Sequence, residues 1–304
     1  MNEVFDSRQV RRAFSRASDR YAAASPLQRE VESELLESLD YLALRHGDDW
    51  SPRRVLDLGC GPGSATVAMR ARWPRAQLLA MDLALPMLRQ PSLRPRWHPL
   101  RPAIARVNAD ARALPLAEDS LDVLFCNLCL QWVADLPAAL AGFRRVLRPG
   151  GLLLFSTFGG DTLHELRAAF AAADSAGHVS PFASIAAVGD ALMQAGFRDP
   201  VVDRTLREER HADLASLMRG LREIGATNAL ASRRRALTGC SRFDAARAAY
   251  EPLRGADGLL PATWETITAL AWAPDHGAPM REGDAEVARF PAAGIRVRGR
   301  QREG

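Results

Sequence analysis

The chain has 304 residues, 47% of them hydrophobic and 25% charged. Those proportions suit a soluble globular protein of one large domain, or one domain with an appendage, and exclude collagen, bulk disorder and a small disulfide scaffold. Forty basic residues against 36 acidic ones leave a net charge of +4, and every base is an arginine because the chain has no lysine. This modest basicity permits an acidic partner. No dense arginine block interleaved with aromatics demands nucleic acid, so none is expected. The longest weakly polar stretch, Val123 to Ala134, contains Asn127 and Gln131 and falls short of the roughly 20 residues of a membrane-spanning helix. The first residues lack the apolar core of a signal peptide, and Glu3 and Asp6 argue against an organellar presequence. Four cysteines are too few for a disulfide framework, so the expected compartment is a reducing cytoplasm.

In chain order, residues 7–21 read as an amphipathic helix. Val10, Ala13, Phe14, Ala17 and Tyr21 share one face, and Arg8, Arg12, Arg16 and Arg20 recur every four residues on the other. Ser25-Pro26-Leu27-Gln28 reads as an N-cap, a proline at the first helical position and a capping-box glutamine, opening a second helix through Val31, Leu35, Leu39 and Leu42. From Arg54 the pattern alternates. Strands are predicted at Val55–Leu58, Leu78–Met81, Ile104–Asn108, Leu121–Cys126 and Leu152–Thr157. Helices are predicted at Ser64–Trp73, Asp135–Leu147, Thr162–Ala173 (with Thr162-Leu163-His164-Glu165 as capping box) and Ser184–Ala195. This alternation predicts an α/β fold, a doubly wound parallel sheet with helices on both faces. It breaks after Val201-Val202. Two helices, Ala212–Ile224 and Phe243–Leu253, then precede a last strand, Trp264–Trp272, as a helical insertion that could act as a lid. The expected organisation is a helical cap (1–50), a cofactor-binding core (51–210), the insertion (211–260), the last core strand (261–273) and a Gly-, Pro- and Arg-rich tail (274–304) expected to be partly disordered.

The chemistry concentrates at Val55-Leu56-Asp57-Leu58-Gly59-Cys60-Gly61-Pro62-Gly63, a strand running into a glycine turn and then a helix. Glycines let the backbone approach a ligand that a Cβ would push away. Asp82, at the end of the second strand, can accept both hydroxyls of a ribose. Dinucleotides and S-adenosylmethionine both fit that much. A dinucleotide fingerprint needs Gly-x-Gly-x-x-Gly to seat a pyrophosphate, whereas this turn is Gly-x-Gly-x-Gly, which suits the phosphate-free S-adenosylmethionine. Asp110, ending the third strand, could take the adenine amino group. Cys126-x-x-Cys129 has metal or redox spacing but no second Cys/His pair, so packing cysteines are the better reading and no metal site is expected.

In order, the glycine turn, Asp82, Asn108-Ala109-Asp110-Ala111, Asp119-Ser120-Leu121-Asp122, Asn127-Leu128 with Gln131-Trp132, and Arg145-Val146-Leu147-Arg148-Pro149-Gly150-Gly151 resemble the class I S-adenosylmethionine-dependent methyltransferases, with their Rossmann-like sheet, over about residues 53–160. Beyond that core, Phe14-x-Arg16-Ala17 with Tyr21, Leu27-Gln28-Arg29, Ser156-Thr157-Phe158-Gly159, Leu221-Arg222-x-Ile224-Gly225-Ala226-Thr227-Asn228 and Asp257-Gly258-x-Leu260-Pro261 resemble the malonyl-acyl-carrier-protein O-methyltransferases of biotin synthesis, to about Pro274. One feature departs from that family. Gly159-Gly160-Asp161 stands where it often has Gly-Pro, and Gly-Gly-Asp-Thr-Leu resembles the mitochondrial complex I assembly factors that modify arginine. An arginine hydroxylase or a scaffold of that type is therefore the alternative.

The resemblance implies methylation of the free carboxylate of a malonyl thioester on acyl carrier protein; a monomer in the cytoplasm is expected. The candidate cofactor-binding residues are Asp57, Gly59, Cys60, Gly61, Gly63, Asp82, Leu83, Asp110, Ala111, Asn127 and Leu128. Tyr21 and Trp132 are the candidate catalytic residues, with Tyr21 expected near the methyl group or substrate. For docking the acidic carrier protein the candidates are Arg219, Arg222, Arg233, Arg234 and Arg235 in and after the insertion, and secondarily the Arg8, Arg12, Arg16, Arg20 stripe.

Overall fold

The computed structural model describes residues 4–47, 50–94, 102–234, 239–275, 280–282 and 285–287. Asp6 caps the first helix, α1 (Ser7–Ala17), by accepting the Gln9 N–H at 3.1 Å. The apolar stripe of α1 turns inward with Val10, Ala13 and Ala17 buried, while Arg8, Arg12, Arg16 and Arg20 stay exposed. A short α2 (Tyr21–Ala24) and a longer α3 (Pro26–Glu37) follow, then α4 (Tyr41–His46). Pro26 does hold the first turn of α3, but the expected capping box is absent. The Ser25 side chain makes no cap bond and Gln28 is buried, its backbone carbonyl accepting instead from the Asn127 amide at 3.0 Å.

Seven strands form the main sheet: β1 (Arg54–Leu58), β2 (Gln77–Asp82), β3 (Ala105–Asn108), β4 (Leu121–Cys126), β5 (Leu147–Phe158), β6 (Arg198–His211) and β7 (Leu260–Trp272). Their spatial order is β3-β2-β1-β4-β5-β7-β6. Neighbours from β3 to β5 pair in parallel, while β7 runs antiparallel to both β5 and β6, so the sheet is mixed rather than wholly parallel. The intervening helices are α5 (Ser64–Arg72), α6 (Leu85–Leu88), α7 (Leu136–Val146), α8 (His164–Ala173) and α9 (Ile185–Gln194).

The central strands are apolar on both sides because each face is covered. Leu56, Leu124 and Leu153 pack with Leu140, Phe143 and Leu192 of α7 and α9. Their neighbours Val55, Val123 and Leu152 pack with Leu35 of α3 and Met69 of α5. The alternating side chains of each strand thus feed two separate cores. Strand β6 is the exception. It runs over 14 residues where only Val201-Val202 stands out in the sequence. Paired to β7 alone, it lies at the sheet edge, largely exposed, and its Arg and Glu side chains hide the alternation that would mark a strand.

Helix α8 begins later than the sequence suggests. Leu163 takes a left-handed conformation (φ +52°), and Thr162 and Glu165 do not cap each other. Thr162 Oγ1 bonds the backbone of Glu265, and Glu165 accepts from the Thr263 N–H. Both tie α8 to β7. Between β6 and β7, α10 (Leu214–Glu223) and α11 (Cys240–Tyr250) lie over a third core built from Leu166, Phe170, Leu217, Leu221, Tyr250 and Trp264. The tail expectation falls mostly outside the described residues, apart from a hairpin of β8 (Met280–Glu282) and β9 (Ala285–Val287).

Candidate active site

The strand ends of β1, β2, β3 and β4 meet at one cavity. Gly59 and Gly61 hold φ of +69° and +52°, which glycine reaches without strain. A Cβ on Gly59 would sit 2.7 Å from Cys129 Cβ and Sγ, so the turn is also a close backbone approach. This explains one cysteine of the Cys-x-x-Cys pair: Cys129 packs against the glycine turn, while Cys126 is buried in β4. Gly63 departs from expectation. It borders neither the cavity nor the adjoining cleft, and its φ of +89° starts α5 beside Leu93.

Asp82 lines the cavity and is oriented by two backbone donors, Gly61 N–H at 2.9 Å and Ala84 N–H at 2.7 Å. Burial pushes its carboxyl up to about 6. Asp57 is fully within the strand end, bonded by the Thr66 hydroxyl, and burial raises it to about 7. Asn108 donates to the carbonyls of Asp82 and Leu83 at 2.8 and 3.0 Å, which fixes the loop that carries Leu83 to the cavity wall. Asp110 and Ala111 also line it, but Asp110 is engaged by Arg112 through three hydrogen bonds from its guanidinium and one from its backbone. Burial opposes ionisation there, yet the Arg112 bonds outweigh it and hold the carboxyl below its ordinary range.

Asn127 bridges two elements, donating to the Gln28 carbonyl and accepting from Ser156 Oγ at 2.6 Å. The same Ser156 Oγ accepts the Leu128 N–H at 2.9 Å, and Leu128 is held at φ +44°. Left-handed backbone at a leucine is strained and persists only where its surroundings fix it. Here the Ser156 bond at the end of β5 is the fixing contact.

An adjoining cleft meets this cavity at Tyr21, Gly59, Gly61 and Asn127 and is walled by Asp57, Cys60, Gln28, Arg29 and Glu32. It thus presents one guanidinium and two carboxylates, complementary in charge to an amino-acid tail. Arg29 and Glu32 were not singled out in the sequence. Arg29 belongs to the Leu27-Gln28-Arg29 motif, Glu32 to none, and only the packing of α3 beside the glycine turn gives either a chemical role. Cys60 is buried, and burial drives its thiol up.

The roof of the cavity is the N-terminal segment: Val4, Phe5, Val10, Phe14 and Tyr21. Tyr21 faces the cavity and the adjoining cleft but does not border the second large cleft of the molecule. Burial, then the nearby Asp82, push its hydroxyl well above the ordinary phenol range, so it stays protonated. Trp132 does border both the cavity and the second cleft. Its ring meets Phe14 edge-on at 5.5 Å, and its Nε1 is buried with no hydrogen-bond partner among the described residues.

The roof is fastened to the insertion. Phe5 forms a β-bridge with Leu230, Asp6 N–H donates to Ala229 O at 2.8 Å, and Arg233 reaches Asp6 Oδ2 at 2.9 Å. Gly225, at φ +76°, lets α1 lie close; a Cβ there would meet Phe14 at 3.1 Å. The Gly225-Ala226-Thr227-Asn228 motif is therefore the seam between insertion and cap.

The second cleft, about 740 Å³, runs under α10 between Trp132 and Trp264. Arg219, Arg222, Arg233 and Arg234 border it, together with Phe158, Phe170 and Met218, and no carboxylate does so among the described residues. The docking candidates divide. Arg219 and Arg222 are exposed on α10. Arg233 is committed to Asp6, and Arg234 lies 3.6 Å from Asp174. Arg235 lies outside the described residues.

A cavity with a glycine wall, a carboxylate ending β2 and no anion-binding phosphate loop fits an adenosyl group carrying an amino-acid tail. Known proteins are similar to this chain in fold and in sequence. Residues 56–155 match a family model described as a methyltransferase domain. In fold, the chain is similar to the YcgJ protein of Bacillus subtilis (TM-score 0.54, 13% identity, covering 80% of this chain and 99% of that one). It is equally similar to a putative methyltransferase of Bacillus halodurans (TM-score 0.54, 16% identity, 79% and 98% covered). In sequence it is 54% identical to a malonyl-[acyl-carrier protein] O-methyltransferase of Xylella fastidiosa over 99% of both chains. Proteins of the same name from Halorhodospira halophila (42% identical, 98% of both) and Gallionella capsiferriformans (41%, covering 90% and 93%) are also similar. With relatives this close over nearly its whole length, the chain belongs to the malonyl-[acyl-carrier protein] O-methyltransferase family.

Proposed function

We propose that the protein methylates the free carboxylate of a malonyl thioester carried on acyl carrier protein, using S-adenosylmethionine, to give the methyl ester that primes pimeloyl synthesis for biotin. The observation that carries the reading is the pair of cavities that both border Trp132, one walled by the glycine turn and Asp82, the other lined by arginines and apolar side chains, with no carboxylate among the described residues. When bound, S-adenosylmethionine supplies an electrophilic methyl group. Asp82 and Leu83 would hold the ribose, Ala111 and Asp110 would border the adenine, and Asn127 and Leu128 would border the end nearest Trp132. Arg29 and the Asp57 wall would take the amino-acid tail.

The reaction asks little acid–base chemistry of the protein. A malonyl carboxylate is already ionised at neutral pH, so no general base is needed, in keeping with a Tyr21 that stays protonated. Opposite charges are neutralised as the methyl group moves, so a dry site that solvates neither strongly favours it, and alignment supplies much of the rest. Phe5, Phe14 and Trp132 exclude water where the cavities meet. Arginines suit the cleft rim better than the attacking oxygen, where a tight clamp would quench the nucleophile.

The carrier protein is acidic, and Arg219 and Arg222 are the exposed charges placed to steer it, in a monomer acting in the cytoplasm. Among the described residues no helix is long and apolar enough to cross a membrane. The arginine-modifying alternative is not favoured by the relatives, which are malonyl-[acyl-carrier protein] methyltransferases by name. Incubation with methyl-labelled S-adenosylmethionine and malonyl carrier protein tests the reading. Label in a base-labile ester on the carrier supports it; an unlabelled carrier, or oxygen added to an arginine peptide, overturns it.

A further inference from the structure

The glycine turn has the position of a phosphate-binding loop but not its free donors. Backbone N–H groups that hold a phosphate must be unpaired before the ligand arrives. Here they are taken. Gly59 and Cys60 donate to the Met81 carbonyl at 2.8 and 3.0 Å, and Gly63 donates to the Cys60 carbonyl at 2.9 Å. Gly61 donates to Asp82 Oδ2 at 2.9 Å, and Pro62 has no N–H to give.

The first turn of α5, the other anion seat of such a fold, is filled as well. Its N-cap is Gly63, which has no side chain to cap with, and its first turn holds no acidic residue of its own. Two carboxylates from other elements stand in. Asp57, near the end of β1, accepts from the Thr66 hydroxyl. Glu32, on α3, accepts from the Ser64 hydroxyl at 2.8 Å. Burial pushes both carboxyls up, while the Thr66 N–H pulls back on Asp57 and the Ser64 hydroxyl and Ala65 N–H pull back on Glu32. Both side chains wall the cleft that continues the glycine-walled cavity past Gly59 and Gly61.

That cavity can read only the adenosine half of a ligand. Its carboxylate for a ribose, Asp82, suits S-adenosylmethionine and adenosine phosphates alike. The substituent on the 5′ carbon must separate them, and the adjoining cleft is where it would lie. We propose that Glu32 is a specificity-determining residue, filling the anion seat at the start of α5 and so excluding adenosine phosphates, an assignment that rests on S-adenosylmethionine being the cofactor. Its carboxylate competes with a phosphate for the same donors and repels it at short range, but attracts the ammonium of an amino-acid tail. It fills the seat by contact as well as by charge, because the Ser64 hydroxyl pins it there. Asp57 shares the seat from within the strand end; Glu32 closes it from outside the sheet.

Calorimetry with adenosine and AMP tests the assignment, since the two differ only in the 5′ phosphate, with S-adenosylhomocysteine reporting on the cofactor site itself. The wild-type protein should bind adenosine more tightly than AMP by about tenfold or more. Glu32→Ala should shift that ratio toward AMP by ~5–30-fold, the range of an anion gaining a helix N-terminus. Glu32→Gln keeps a carbonyl for the Ser64 hydroxyl but removes the charge. It should shift the ratio in the same direction, and it decides the matter if the alanine variant does not fold. Glu34→Ala removes the same charge from an exposed position of α3 and should leave the ratio unchanged. Wild-type protein that binds AMP as tightly as adenosine, a ratio that the Glu32 variants leave alone, or an equal shift in Glu34→Ala would each overturn the assignment. So would adenosine that fails to displace S-adenosylhomocysteine. A wild-type protein that does not bind S-adenosylhomocysteine refutes the cofactor site instead, so the two failures are separable.

Discussion

The glycine-walled cavity and the arginine-lined cleft share Trp132 but are built in opposite ways. The cavity wall is made of consecutive strand ends, from Leu58 to Leu128, whose backbone and short polar side chains are set by the parallel sheet itself. The cleft is assembled from Gln9, Trp132, Phe170, Met218, Asn228 and Trp264, residues scattered over the cap, the core, the insertion and β7. The first region tolerates little change because a backbone cannot move aside. The second is joined by side-chain contacts that can loosen singly, which would suit the proposed role of admitting a carrier-borne arm.

The sharpest way to break the first region is Gly59→Val. A side chain at φ +69°, already 2.7 Å from Cys129 at its Cβ, should weaken S-adenosylmethionine binding by ~100-fold or more. Calorimetry on the folded variant measures it, and a small effect would mean the turn is not the cofactor wall.

Asp82→Ala comes next. It removes the carboxylate held by Gly61 and Ala84, and the loss of two charge-assisted bonds should cost roughly 2–4 kcal/mol of cofactor affinity. A pH titration sharpens this. Burial holds Asp82 at about 6 and Asp57 at about 7, against 3.8 for an ordinary aspartate. The folded, cofactor-free protein therefore binds more protons than the unfolded chain between 3.8 and about 7. The stability these groups contribute is full below that window and lost as pH rises through it. Ribose hydroxyls need the ionised carboxylate, so cofactor affinity should rise with pH through about 6 in the wild type and lose that step in Asp82→Asn.

The second region should respond more gently. Arg233→Ala breaks the bridge from the insertion to Asp6. It should speed S-adenosylmethionine release roughly fivefold by loosening the roof, without touching the cavity wall. Stopped-flow release rates, with Asp6→Ala and the double variant completing a cycle, would show whether the two residues act as one fastening. Non-additive effects are expected. Arg219→Glu with Arg222→Glu should give the mildest change, a rise of about threefold to tenfold in KM for malonyl carrier protein that shrinks with added salt, because rim charges act mainly on encounter. Malonyl-CoA should be used nearly as before; equal loss on both substrates would place these arginines inside the site.

The contrast also marks what could be read from the residues alone. Val55 to Gly63, Asp82 and Asn127-Leu128 are local: each is a strand, its stop and the residue that follows, so periodicity and turn chemistry locate them together. The cavity wall was legible for that reason, as were the helices of the insertion. Spacing does not say which glycine faces a ligand and which starts a helix, and Gly63 starts α5. Thr162 and Glu165 match a capping box in sequence, yet β7, about a hundred residues away, offers both of them better partners. Arg233 resembled a free docking charge until the structure set it against Asp6.

Sequence by itself determined the alternating strands and helices, the glycine turn and its carboxylate, and the family. These follow from local periodicity and from backbone conformations that only certain residues adopt. The tertiary structure alone decided that β7 runs antiparallel, that polar β6 is a strand, that the cap is fastened to the insertion through Phe5, Asp6 and Arg233, and that Glu32 meets the start of α5. Each of these rests on a contact between distant segments, whose energy exists only once the chain has brought the partners together, and a local pattern carries no record of it.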